Sequence, residues 1–200
     1  MNYKYLYNQY KEKRNLIFDL DNTIIDEKDY LYPAYLDVAK SYYKENSNEI
    51  YKFLINTFES SGRKNIFSKL TSRYVNKQLY LSDFLKKLRF NEECKVIYTL
   101  EWFQKLMKLI NNEFPLYIIT NGNIIQQKNK INKILFPSNV KLKKVIYANK
   151  YEKKPNPASF HELKKIFPLT NPIYIGDGLV DKQFAINTDI EFVDSRSLYT

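Results

Sequence analysis

NLIFDLDNT, residues 15–23, is the stretch from which the rest of the chain can be read. Leu16, Ile17, Phe18 and Leu20 make a short apolar run with the length and β-propensity of a buried strand. The run ends in two carboxylates, Asp19 and Asp21, followed by Asn22 and Thr23. Aspartate is a poor strand residue and a good turn residue, so the strand is expected to stop there. In an open α/β sheet the carboxyl ends of the strands are where ligands bind. Two carboxylates held there at spacing i, i+2 could bind a cation, or one could attack while the other moves a proton. The plainer alternative is a turn with two solvated aspartates, and this stretch alone does not separate the two.

The length of 200 residues suits one domain, or a core domain with a small one inserted, and suffices to bury a real core. A hydrophobic content of 44% with 16% aromatics excludes a disordered chain. No apolar run reaches the roughly 18 residues of a membrane span, and the Tyr-rich, charged N-terminus lacks the apolar segment of a secretion signal. The single cysteine, Cys94, cannot form an internal disulfide; this fits a reducing cytoplasm, and a packing role is expected for it. The net charge of +10 is compatible with anionic ligands, but the bias toward Lys, Asn, Ile and Tyr is also what AT-rich coding would give.

After Thr23 the pattern turns helical. Residues 26–97 carry four amphipathic segments, near 29–44, 48–59, 63–75 and 82–90, the last with Ser82 as a candidate N-cap. Polar breaks between them suggest a small helical bundle inserted between two parts of one α/β domain, residues 1–25 and 98–200. Its charge is lopsided, net −3 over 26–60 and net +7 over 61–90. A further helix over 99–112 places Trp102, Phe103, Leu106 and Ile110 at core spacing.

The later strands each end in something polar. The strand Leu116–Ile119 runs into Thr120, Asn121 and Gly122, and Asn123 is placed to cap the following helix. A strand, a small polar turn and a helix start together resemble an anion site. A short strand over 145–148 leads to Lys154-Pro155, with Asn156 as N-cap and Pro157 at the first helical position. A strand over 173–175 ends in GDGLVD, where Asp177 stands at the strand end and Asp181 shares its face one turn on. The last strand is expected over 190–193. Parallel strands joined by helices would gather all these ends on one edge of the sheet.

This order of motifs resembles the haloacid dehalogenase (HAD) superfamily, subfamily I, along the whole chain. The family pattern D-x-D-x-T is met by Asp19, Asp21 and Thr23; its Thr or Ser after an apolar strand by Thr120, with Asn121 and Gly122 following. Its Lys is met by Lys154, with Lys153 as fallback, and its acidic pair by Asp177 and Asp181. The resemblance implies a Rossmann-like core, a three-layer α/β/α sandwich with a mostly parallel sheet, and an all-α C1-type cap over residues 26–97. It implies Asp19 as nucleophile forming an aspartyl-phosphate and Asp21 as acid and base. It also implies Mg2+ held by the Asp19 and Asp177 carboxylates and the Asp21 carbonyl. Thr120 and the Asn121 N–H would hold phosphoryl oxygens, Lys154 would offset their charge, and Asp181 would orient Lys154 or support the metal. Family dehalogenases lack an Asp two residues after the nucleophile, so Asp21 points to phosphoryl transfer. A phosphatase of small phosphorylated metabolites, a sugar phosphate or nucleoside monophosphate, is the expectation. A β-phosphoglucomutase-like phosphomutase is the alternative, although the 26–97 segment has no His. A basic nucleic-acid-binding or end-processing protein is the reading from another class. The expected partner is a small phosphorylated substrate rather than nucleic acid or membrane, and the expected state a monomer or homodimer.

Overall fold

The computed structural model describes residues 2–76 and 78–199. In chain order the elements are α1 (Tyr3–Lys11), β1 (Leu16–Phe18), α2 (Glu27–Tyr43), α3 (Ser47–Ser61), α4 (Ile66–Arg73), α5 (Leu81–Phe90), β2 (Ile97–Tyr98) and α6 (Glu101–Leu109). Then follow β3 (Phe114–Thr120), α7 (Ile124–Lys133), β4 (Ile134–Leu135), β5 (Val140–Tyr147), α8 (Ala158–Ile166), β6 (Ile173–Gly176), α9 (Leu179–Asn187) and β7 (Glu191–Asp194). The chain divides into two compact units. One comprises Met1–Glu27, Tyr98–Gln127 and Ile134–Thr200; the other comprises Lys28–Ile97 and Lys128–Lys133.

The first unit is built on a five-stranded sheet of order β5-β3-β1-β6-β7, every pairing parallel. β1 is the middle strand because both its faces are apolar. On one face Ile17 joins Tyr117, Ile119, Ile146 and Tyr174 beneath Phe160 and Leu163 of α8 and Phe184 and Ala185 of α9. On the other, Phe18 meets Trp102 and Phe103 of α6 at ring-centroid distances of 6.4 and 5.8 Å. These are the three layers the sequence leads one to expect. The chain steps outward from β1 to β3 to β5, then returns to β6 on the far side of β1. With right-handed crossovers this reversal puts α8 and α9 on the face opposite α6, and the switch point of the sheet falls at the carboxyl end of β1.

Two parts of this unit escape the sequence pattern. α1 shows only Leu6 as a buried residue; Asn2 caps it, accepting from the Lys4 N–H at 3.1 Å, and Tyr10 packs against Phe114 at a tilt, with ring centroids 5.4 Å apart. β5 begins at Val140, five residues before the expected strand, because Lys141, Lys143 and Lys144 interrupt its apolar residues. It is an edge strand, where lysines are favoured because they discourage further strand addition.

The helical unit holds the four expected helices and, in addition, residues 128–133, which the sequence division places with the α/β part. That stretch is drawn in by specific bonds. Asn129 donates to the Arg89 carbonyl at 2.8 Å, Lys133 to the Cys94 carbonyl at 2.7 Å, and the buried Lys130 ammonium lies 5.5 Å from the Tyr30 ring centre. α5 starts one residue earlier than expected: Tyr80 is its N-cap and Ser82 lies within the first turn, with Asp83 supplying the favourable negative charge there. Pro33 sits inside α2 and has no N–H for the Asp29 carbonyl. The Cys94 thiol reaches that carbonyl at 3.6 Å, so Cys94 is a packing residue, and burial raises its pKa.

Candidate active site

Four strand ends and loops of the first unit bring the motif residues together. Asp19 follows β1 and extends its ladder, its N–H donating to the Ile175 carbonyl at 2.8 Å. Thr120 is the last residue of β3, and Asp177 follows β6. Between Asp19 and α2 the chain turns sharply, with Asn22 in the left-handed region at φ 56° and its side chain capping the Glu27 N–H at 3.2 Å. Thr23 is fully buried in this turn.

Lys154 is the hub. Its three ammonium protons have three partners: Asp19 Oδ1 at 2.6 Å, Asp181 Oδ1 at 2.6 Å and Tyr174 Oη at 2.7 Å. Its side chain is 2% exposed, whereas neighbouring Lys153 is exposed, so Lys154 is the lysine of the site. The loop carrying it is fastened at two points. The Asn121 side chain clamps the Lys154 backbone, donating to its carbonyl at 3.0 Å and accepting from its N–H at 2.8 Å. Asn149 accepts from the Gly122 N–H at 2.9 Å. Asn123 caps α7 as expected, accepting from the Ile125 and Gln126 N–H groups, whereas α8 starts one residue later than expected: Pro157 is its N-cap, and Asn156 just before it accepts from the Ala158 N–H at 2.9 Å.

Asp181 lies in the first turn of α9, where its Oδ2 accepts from the Gly178 N–H at 3.3 Å. It reaches Lys154 because position 176 is glycine: a Cβ there would stand 2.5 Å from the Asp181 Cβ. Tyr174, two residues before that glycine, is completely buried and donates its hydroxyl proton to the Ile119 carbonyl at 2.9 Å.

The carboxylates strain against one another. Burial pushes Asp19 up to about 7; the Lys154 ammonium pulls it back, while the charges of Asp181 and Asp21 push the same way as burial. Burial, then the Asp181 charge, raise Asp177 to about 6. Lys154 is raised despite its burial, because the carboxylates of Asp19 and Asp181 outweigh the cost of desolvating it. Asp19, Asp177 and Asp181 each bring a carboxylate oxygen within 4.8 Å of the others. This donor set is all oxygen and too negative for one lysine, which fits a hard divalent cation such as Mg2+. The Asp21 carboxylate is not part of that trio: its Oδ2 accepts from Gln127 Nε2 at 3.0 Å.

Gln127, Tyr174 and Asn149 are the residues sequence reasoning misses. Each lies off the strand-end motifs: Tyr174 reads as packing within an apolar strand, and Gln127 and Asn149 as surface amides in Lys-rich sequence.

The chain belongs to the haloacid dehalogenase-like hydrolase family, which it matches over residues 16–194. Among solved structures, a protein from Thermotoga maritima provisionally named a β-phosphoglucomutase superposes with a TM-score of 0.65 at 16% identity, covering 90% of this chain and 84% of that one. The HAD-hydrolase YfnB from Bacillus subtilis, solved bound to magnesium, gives 0.57 at 21% identity, with 90% and 86% covered. L-2-haloacid dehalogenase from Xanthobacter autotrophicus gives 0.57 at 14% identity, with 90% and 76% covered. These likenesses share the fold. No curated protein matches the chain in sequence. Among the described residues, no helix is long and apolar enough to cross a membrane.

Proposed function

We propose that the protein is a Mg2+-dependent phosphatase of small phosphorylated metabolites, working through an aspartyl-phosphate on Asp19. The observation that carries this reading is Asp21: a second carboxylate two residues from Asp19, its Oδ2 fixed by Gln127. A halide leaves without a proton; an alcohol leaving from phosphorus needs one.

In the first step an Asp19 carboxylate oxygen attacks phosphorus, and the bond from phosphorus to the leaving oxygen breaks while Asp21 gives that oxygen its proton. In the second, Asp21 takes a proton from water. The water oxygen attacks phosphorus, the acyl-phosphate bond breaks, and Asp19 is regenerated as phosphate leaves. Thr120 donates to a phosphoryl oxygen, and Lys154 keeps a positive charge beside Asp19 that a dianion would otherwise find repulsive. Asp181 and Tyr174 hold Lys154 in place. A bound Mg2+, held by Asp19 and Asp177 with the Asp21 carbonyl, would neutralise carboxylate and phosphoryl charge and keep Asp19 ionised. The helical unit is proposed to act as the cap and residues 26–97 to confer substrate choice. Cytoplasmic location and a monomeric or homodimeric state belong to the same proposal.

The test is phosphate release across sugar phosphates, nucleotides and small phospho-acids, with Asp19→Asn as the blank. Release by the wild type alone supports the reading, and equal release by Asp19→Asn refutes it. Substrate isomerised with its phosphate retained would make the protein a mutase.

A further inference from the structure

Gln127 sits in α7, 1% exposed, and its amide nitrogen reaches two groups of the site at once: Asp21 Oδ2 at 3.0 Å and Thr120 Oγ1 at 2.7 Å. We propose that Gln127 is a positioning residue that sets the rotation of the Asp21 carboxyl group and the direction of the Thr120 hydroxyl proton. Proton transfer and phosphoryl binding are thereby tied into one hydrogen-bonded chain. This rests on the phosphatase reading above.

The orientation of the amide follows from its neighbours. The structure turns the NH2 end, not the carbonyl end, toward Asp21 Oδ2, the arrangement in which Asp21 accepts at that oxygen and keeps its other oxygen for the transferred proton. An NH2 group has two protons, and here it has two acceptors. Thr120 Oγ1 therefore receives a proton from Gln127 and must spend its own elsewhere. In the structure that proton goes to the Asn121 carbonyl at 3.2 Å, long for an O–H···O bond and readily exchanged for a phosphoryl oxygen. Without Gln127 no donor would occupy the Thr120 oxygen, and the direction of its hydroxyl proton would no longer be set. A second observation points to the same side chain. Gly122 has φ +127°, and a Cβ there would lie 3.2 Å from Gln127 Cδ and 3.3 Å from its Cγ. The glycine of the strand-end turn thus leaves room for Gln127 to fold back over it.

Gln127→Leu keeps the apolar stem and removes both donors; Gln127→Glu keeps the shape and replaces the amide by a carboxylate. Both are to be compared with wild type on p-nitrophenyl phosphate, whose leaving group departs without a proton, and on an alkyl phosphate, whose leaving group requires one. The parameter is kcat/KM, which covers the steps through leaving-group departure. The Thr120 arm affects both substrates alike and weakens competitive inhibition by inorganic phosphate. The Asp21 arm affects only the alkyl ester. We expect kcat/KM on the alkyl phosphate to fall by a further factor on the order of 10–100 beyond the fall on the aryl phosphate, a share of the usual general-acid contribution. Should Gln127→Leu not fold, as read by circular dichroism, Gln127→Glu carries the same expectation. An unchanged alkyl-to-aryl ratio in the folded variants overturns the positioning role while leaving the phosphatase reading intact. A wild type that hydrolyses neither ester nor any metabolite overturns both.

Discussion

Replacing Tyr174 by Phe removes one oxygen atom from the interior and should be felt well beyond that atom. The hydroxyl accepts from the Lys154 ammonium at 2.7 Å and donates to the Ile119 carbonyl at 2.9 Å, with no exposed surface on the residue. The first is a charge-assisted bond, in the class that contributes about 1.5–3 kcal/mol; the second is neutral and contributes about 0.5–1.5. Removing the hydroxyl also relieves its own desolvation, so the net loss is placed at about 2 kcal/mol. For a chain of this size that lowers Tm by about 4–8 °C. The ring itself loses nothing, since Phe keeps the edge-to-face contact with Phe184 at a centroid distance of 4.9 Å. Thermal melts of wild type and Tyr174→Phe by circular dichroism, both in EDTA, measure the effect. A Tm within about 1 °C of wild type would refute the reasoning, because a buried ammonium proton cannot lose its partner at no cost. If the melt shifts as expected, Lys154 is also less firmly placed, and competitive inhibition by phosphate should weaken.

Asp19→Asn is expected to abolish turnover and to stabilise the metal-free protein in a pH-dependent way. The native carboxyl holds its proton up to about 7, while an unfolded one releases it near pH 4, so the native state binds more protons across that window. Wild-type stability from this group is therefore lost as pH rises from about 4 to 7; the Asn variant should gain Tm over wild type at pH 8 and not at pH 4, and an equal difference at both would contradict the burial argument. Chelation should stop phosphate release and Mg2+ restore it, with Asp177→Asn needing more Mg2+ for half-maximal activity; full activity in EDTA would remove the cation from the mechanism. Gly176→Ala should destabilise by more than about 2 kcal/mol in urea titrations, since its Cβ would stand 2.5 Å from the Asp181 Cβ and the two cannot both stay. A midpoint like that of wild type would show that the helix start yields more easily than it appears.

The strand-end motifs were legible because each is local: an apolar run, then a polar residue the run cannot bury. Asp19, Thr120 and Asp177 are of this kind, Lys154 and Asp181 follow in the loop after β5 and the first turn of α9, and parallel strands do the rest by bringing the ends to one edge. What was illegible is relational. Nothing about Gln127 distinguishes it from Gln126 beside it; only the reversal of the chain at Gly122 aims it at Asp21. Tyr174 reads as one more apolar strand residue until β3 puts the Ile119 carbonyl opposite its hydroxyl. The same holds for residues 128–133, whose lysines look like surface charge yet include one that is fully buried. The early start of β5 was hidden because an edge strand need not be apolar to be a strand.

The stacking of Phe18 on Trp102 gives the chain a built-in optical label. Trp102 is the only tryptophan, 1% exposed, and it packs against the residue that immediately precedes Asp19. The 18 tyrosines, by contrast, are spread through both compact units. Emission excited selectively at the indole therefore follows the melting of the sheet that carries the acids, while far-ultraviolet ellipticity, weighted toward helices, follows the whole chain. Coincident transitions would mark one cooperative fold, and separated ones two, each read without attaching a dye.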